Sequence, residues 1–549
     1  MDMVITMDMG ITVPKGIKSR TSFEVKALSA TITCLFANTA IADWNLVPEL
    51  ETKVSVYNKQ YVFRDSVDNE VLSIVPKLSG TFDGVNHDFG FTLQHTNIVS
   101  NDTNLAKNRN FDSYRLNSQN SYFAKSLNLK LSATRDFQAQ NRADSLSFEL
   151  FDNSESFAKR DLSSAQLGFR LPNPRYIRFE SSVLASKSRT TQLEGESLYN
   201  GYNSDTLGGS IVLASGKKIH AVNWLLSANR NKTDRENYQD FDSTVLNGKV
   251  SFPFFSRTLR LVVVGQQEDN KIGSADNQFF NNYDQSSYGG GLEWFLSDKR
   301  YFTVTYNRSE KTLNDQKQDF IGIDSKWAFS ERNNLAASYN KRFYGDAYSF
   351  SFEHVGRMLN INAVYNEDIT SESRMNLNTT STVLVCPQGV TDIGNCFQPT
   401  PGYELQPGEQ GFNLNQYVPD LVEEVYLRKN ANIALSWKNR KLTVGLNLNK
   451  GSIDYLETNR KQDNQMATAT ASWEMNRNTK LNISSNYAEY QFETQDEPDI
   501  TQTVSLGLSR KLGRNISTRW ELRYLDRESP IENRSFIDKR LTASLIIKY

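Results

Sequence analysis

Cysteine, histidine and proline are scarce in this chain: three, four and thirteen among 549 residues. So few cysteines exclude a disulfide-dense scaffold. No Cys-x-x-Cys spacing is present for a metal cluster or covalent haem. Beyond residue 42 no apolar run reaches the roughly 20 residues of a membrane-crossing helix. A charge excess is missing too. The formal net charge is −1 and no basic domain stands out, so nucleic acid is not an expected partner. The Gly-x-Ser-x-Gly elbow, the His-Glu-x-x-His helix motif and the phosphate-binding Gly-Lys-Ser/Thr loop are all absent. His87, His95, His220 and His354 are scattered along separate segments. The sequence offers no catalytic residue, no metal ligand and no cofactor, and an enzyme is not expected.

Aromatic residues are plentiful, with 24 Tyr and 31 Phe. A polar, aromatic-rich chain without a spanning helix suits a transmembrane β-barrel, whose lumen is wet. It also suits a large soluble β-protein, so composition does not choose. The N-terminus speaks to compartment. Lys15, Lys18, Arg20 and Lys26 precede an apolar run, Ala27 to Ala42, that ends Ala40-Ile41-Ala42 before Asp43 and Trp44. Basic segment, apolar run and small-x-small site occur in the order of a secretory signal. Residues 1–42 are read as that signal and 43–549 as the mature domain. Cys34 lies in the leader. An exported chain with Cys386 and Cys396 close in sequence is then expected to carry one disulfide.

From Trp44 onward the sequence repeats one unit, two alternating stretches joined by a short polar turn. The turns are Thr81–Asp88, Phe123–Ser126, Pro172–Arg175, Gly216–Lys218, Pro253–Arg257, Ser297–Arg300, Ser330–Asn334, Val355–Arg357, Lys438–Arg440, Arg477–Thr479 and Gly513–Asn515. Each joins two strands. A first strand near Trp44–Val56 and a last near Arg540–Tyr549 bring the expected total to about 24, within a range of 22–26. Longer connections alternate with the short turns. That asymmetry fits an up-and-down antiparallel barrel with short periplasmic turns and long extracellular loops. In Ile516–Tyr524, Trp520, Leu522 and Tyr524 oppose Arg519, Glu521 and Arg523, so one face is apolar and the other polar. Trp294, Phe329, Trp437 and Trp473 sit beside short turns, where an interfacial girdle belongs.

The closing stretch carries the same code. Leu541, Leu545, Ile547 and the terminal Tyr549 share one face, together with Ala543; Thr542, Ser544 and Lys548 share the other. It resembles the closing strand of bacterial outer-membrane barrels, which the barrel assembly machinery reads. Pairing it with the first strand would remove both sheet edges. A pattern of this kind places the protein in the outer membrane of a Gram-negative bacterium. Outer-membrane lipid and lipopolysaccharide are then its surroundings.

Two features bear on function. Lys130, Arg178, Arg260, Glu293, Lys326, Arg428, Glu474, Arg519, Glu521 and Arg523 fall on lumen-facing positions with mixed signs, which implies mutual pairing and no ion preference. The longest connection, residues 366–424, holds Cys386, Cys396 and five of the thirteen prolines. It also holds nine acidic residues: Glu367, Asp368, Glu372, Asp392, Glu404, Glu409, Asp420, Glu423 and Glu424. It reads either as an acidic, disulfide-pinned lid over the outer mouth or as a solvated surface loop. Strand-like sequence starts too soon after the leader to leave room for a plug domain. A barrel this wide therefore needs an infolded loop, a partner or a flattened cross-section to narrow it.

The first hairpin adds a family likeness. Trp44-Asn-Leu-Val-Pro48-Glu-Leu50, a polar loop around Asp65 and Asp68, and Val71 to Leu78 with Val75-Pro76-Lys77 resemble the opening of the outer-membrane barrels associated with PEP-CTERM/exosortase exopolysaccharide systems. Val75-Pro76-Lys77 stands where a Pro-Gly step is commoner. The likeness covers about 35 residues. It implies a porin-like conduit or platform in exopolysaccharide export, with exopolysaccharide and periplasmic export components as partners. A nonconducting surface-attachment barrel and a general solute porin are the alternatives.

Overall fold

The computed structural model describes residues 44–549 apart from 63–64, 102–107, 140–156, 193–202, 220–221, 237, 274–280, 312–315, 371–383, 388–408, 413–423, 493–496 and 532–533. The expected leader lies outside the described residues. Among those described there is no helix. Twenty-four strands form a single sheet, each antiparallel to its neighbours, and the first strand pairs with the last. Thr52 stands opposite Leu545 and Tyr61 opposite Phe536, and the Tyr549 amide donates to the Pro48 carbonyl at 2.9 Å. The sheet is therefore a closed barrel with no free edge at this seam. Two short strands, Leu384–Pro387 and Glu409–Phe412, pair only with each other among the described residues.

All eleven short connections fall where the turn residues place them. They gather at one end of the barrel because consecutive antiparallel strands reverse direction. The barrel strands run from 10 residues (Asn333–Arg342) to 18 (Trp44–Tyr61), mostly longer than the ~10 that an apolar band requires. The short/long asymmetry is incomplete: connections such as 312–315 and 456–460 are no longer than some turns at the other end, and one is shorter still. At the loop end, Phe343 and Tyr344 alone join Asn333–Arg342 to Gly345–Val355.

Alternation sorts the wall into two faces. Along Ile516–Glu528, Trp520, Leu522 and Tyr524 are exposed, while Arg523 and Arg527 are buried; along Phe536–Lys548, Leu541 and Leu545 are exposed, while Asp538, Arg540, Thr542 and Ser544 are buried. Apolar residues outside and polar residues inside invert a soluble core, as hydrocarbon around the barrel demands. Trp294, Phe329 and Trp473 are exposed beside their turns, and Trp294 lies 5.5 Å from Trp327.

Candidate functional site

The wall is incomplete near the loop end, on either side of one hairpin. Asn333–Arg342 pairs with Gln316–Ser330 only from Tyr339 downward. Its partner Gly345–Val355 pairs with Leu359–Thr370 only from Phe350 downward. Between themselves the two strands stay paired to the tip, where Arg342 stands opposite Gly345. Gly345 has φ +119°, a conformation that side chains disfavour, so glycine suits the tight reversal.

The detached tip lies inside the barrel. Arg342 Nε donates to Glu268 Oε2 at 2.9 Å, Asn340 Nδ2 to Gln266 Oε1 at 2.5 Å, and Gln285 Nε2 to the Lys341 carbonyl at 3.1 Å. Gln266 and Glu268 belong to Leu259–Ile272, and Gln285 to Asn281–Ser297. Arg300–Lys311 and Gln316–Ser330 stand between those strands and the hairpin in the sheet order. Direct contact across them requires the tip to cross their inner faces. Thr305, Asn307 and Phe320 are buried there. The wall beneath is kept thin by glycine. A Cβ at Gly289 would meet Asn307 Oδ1, and one at Gly291 would meet the Val304 carbonyl, each at 1.9 Å; Asn307 also fills the space over Gly322.

A second set of contacts closes over the mouth. Arg235, its side chain 0% exposed, pairs with Glu457 at 2.7 Å, and Glu457 also accepts the Val425 amide at 2.9 Å. Tyr283 Oη donates to the Leu456 carbonyl at 3.3 Å. Arg460 pairs with Glu424 at 3.0 Å. Nine strands lie between Asn223–Arg235 and Leu442–Tyr455 in the sheet order, so the Arg235–Glu457 pair spans the opening. Phe241, Ile272, Ile369, Val425 and Leu427 form a buried apolar cluster with Tyr283, Phe343, Tyr344 and Leu456 against it. Ile369 and Leu427 hold the parity that faces outward lower down, where Ile433 is 43% exposed, yet they are 4% and 3% exposed here. At the mouth the two-faced rule gives way because the strand ends are covered by the tip. Tyr344 Oη reaches Glu367 at 2.9 Å, as does Tyr365 at 2.6 Å. Burial raises the Tyr344 phenol above its ordinary range; Arg342 works against this and Glu367 adds to it, so Tyr344 remains a neutral donor.

The residues expected in the lumen share the inner parity of their strands. Glu293 stands opposite Arg260 and pairs with Lys249 at 2.7 Å, while the Arg260 guanidinium lies 3.6 Å from the Phe295 ring centroid. Arg523 pairs with Asp538 at 3.1 Å, Arg178 approaches Glu180 at 3.9 Å, and Glu474 meets Lys480 at 3.1 Å. Lys130, Lys326 and Arg428 stand on separate strands, while Arg519 and Glu521 are neighbours on the inner face of Ile516–Glu528. Among the described residues, Lys249–Glu293, Arg523–Asp538 and Glu474–Lys480 are local pairs. Lys249, Asp538, Arg235, Glu268, Arg342 and Glu457 were missed in sequence: strand register sets the partners of Lys249 and Asp538, and the fold at the mouth sets those of the other four. The Arg342–Glu268 and Arg235–Glu457 contacts span 74 and 222 positions. The two-residue Phe343–Tyr344 turn at the long-loop end was the available signal.

The expected acidic loop needs correction at both ends. Glu367 and Asp368 belong to the strand Leu359–Thr370, because that strand keeps pairing with Tyr426–Lys438 up to Thr370. Glu424 is buried against Arg460 and not solvated. Glu372, Asp392, Glu404, Asp420, Glu423 and Cys396 lie outside the described residues, as does the side chain of Glu409. The expected Cys386–Cys396 disulfide therefore does too; Cys386 stands opposite Gln410 in the short two-stranded sheet. Among the described residues no group of three or more His, Cys, Asp or Glu could hold a metal ion.

Solved structures with a similar course include the FrpB iron transporter from Neisseria meningitidis (F3-3 variant). It shows 10% identity and a TM-score of 0.44, with 92% of this chain and 82% of that chain covered. The siderophore receptor PirA from Acinetobacter baumannii shows 9% identity and a TM-score of 0.42, with 91% and 80% covered. No curated protein sequence matches. Residues 462–549, the last five strands, match the model of the family described as "Putative beta-barrel porin 2". By its own topology this chain is a closed 24-stranded antiparallel β-barrel, and over its closing strands it is similar to that porin family.

Proposed function

We propose that the protein is a porin-like conduit or platform through which an exopolysaccharide leaves the cell, with no catalytic role. The observation that carries this reading is a closed 24-stranded wall with a polar, charged interior. A wall of that width encloses an aqueous path unless something fills it. The porin-like closing strands and the Trp44–Leu78 hairpin's resemblance to barrels of exopolysaccharide systems support the reading. Residues 1–42 would serve as the secretory signal.

A nonconducting attachment barrel is the second reading, favoured by the protein's own side chains meeting across the mouth. The test is current through the full-length protein in a planar bilayer, together with surface polymer in a deletion strain. Measurable conductance with loss of surface polymer supports the export conduit. Electrical silence with loss of polymer attachment selects the second reading. Conductance with polymer intact and small-solute uptake reduced makes it a general porin.

A further inference from the structure

We infer that the hairpin Asn333–Val355 is a movable part of the wall: it closes the mouth by folding inward and opens it by swinging back into the gap it leaves. The inference deepens the conduit reading and rests on it only for the electrical consequence.

The gap is shaped for the hairpin. Ile323 pairs with Tyr339; continuing that register upward sets Gly322 opposite Asn340, Ile321 opposite Lys341 and Phe320 opposite Arg342. On the other side Phe350 pairs with Tyr365. Continuation there sets Ser349, Tyr348, Ala347 and Asp346 opposite Asn366, Glu367, Asp368 and Ile369. Seven further pairs would thus form without a register shift. Such a shift would have moved side chains to the wrong face. Both sides of the gap are strand edges, which are templates for pairing.

Each arrangement satisfies something the other leaves unmet. Folded inward, the tip makes the Arg342–Glu268 pair and places Phe343 and Tyr344 against the apolar cluster. In the wall, it would restore the ladder. Open edges are tolerated because the gap opens at the polar rim. On the outer face Arg308 pairs with Asp319 at 2.9 Å, and Tyr306 donates to the same carboxylate at 2.9 Å. Water reaches backbone at that level, whereas hydrocarbon would forbid it. The tip itself is small, a two-residue turn between paired strands, so it can pass as a unit with its internal ladder intact.

The test uses two cysteine pairs in full-length protein carrying Cys386→Ser and Cys396→Ser. Ser349→Cys with Asn366→Cys reports the wall position. Asn340→Cys with Gln266→Cys, joined by a short bis-thiol reagent, reports the inward one. Tyr348→Cys with Glu367→Cys repeats the wall report should the first pair assemble poorly. In outer-membrane vesicles, both wall and inward links are expected to form. In planar bilayers the wall link should raise conductance several-fold and the inward link should hold it at its lowest level. Inward linkage with neither wall pair linking overturns the inference, since the hairpin is then fixed. Wall linkage without a change in current upholds the swing and overturns the conduit reading instead.

Discussion

Gly289, Gly290 and Gly291 show how one face of the sheet decides the fate of a side chain. At Gly291 a Cβ would lie 1.9 Å from the Val304 carbonyl, a backbone atom that cannot step aside; at Gly290 the nearest neighbour is the Val262 carbonyl at 3.5 Å, an ordinary contact. Gly291→Ala is expected to destabilise the barrel by about 1–3 kcal/mol, as overpacking does, and Gly290→Ala by less than about 0.5 kcal/mol. Urea unfolding in lipid vesicles measures both; equal effects would remove the argument. Glu268 poses a different question. Removing one partner of a buried ion pair costs about 3–5 kcal/mol when the other charge must stay buried. Arg342 can avoid that cost by leaving with the hairpin tip. Glu268→Ala should therefore raise the yield of the Ser349→Cys/Asn366→Cys link several-fold in outer-membrane vesicles, while heat-modifiable migration is retained. An unchanged yield would mean that the aromatic contacts alone hold the tip.

The hairpin as an element departs from its neighbours in a way that its own residues only hint at. Its strands have ordinary barrel sequence, and Tyr339 and Tyr348 stand opposite each other with rings 5.1 Å apart. What distinguishes it is the brevity of its turn and the polar residues that reach over the inner faces of neighbouring strands. Replacing residues 341–346 with an Asn-Gly turn preserves the lower ladder and removes the tip. Higher single-channel conductance is expected, with thermal stability near that of the parent. A barrel that fails to form on this replacement would show that the tip serves assembly and not closure. The glutamates assigned by sequence to the long connection, as lid or as surface loop, divide here by element as well. Glu367 belongs to a strand and meets two tyrosines, whereas Glu424 is buried at a strand entrance.

The whole molecule depends on an outer face that hydrocarbon will accept. Leu522 is exposed midway along Ile516–Glu528, beside an inner face that carries Arg519 and Arg523. Leu522→Arg is expected to cost about 2–4 kcal/mol at the level of the bilayer midplane. Arg519→Glu, on the other face, should leave stability within about 0.5 kcal/mol and move the reversal potential of any current toward cation preference. Unfolding in vesicles and ion-substitution recordings read the two. Comparable destabilisation by both would count against the assignment of faces.

Strand count, turn positions and the identity of the two faces were legible in the residues, because they follow from local rules. Side chains alternate across an extended backbone, and turns need residues that can reverse it. Leu541 and Thr542 declare their sides without reference to anything distant. The mouth was not legible. Arg235 meets Glu457 only after the sheet has curled and brought together strands that nine others separate, and Arg342 meets Glu268 only because the tip folds inward over its neighbours. Nor could alternation reveal that Ile369 and Leu427 would be buried on a side that elsewhere meets lipid. Periodicity fixes which way a side chain points, while closure of the barrel decides what it finds there.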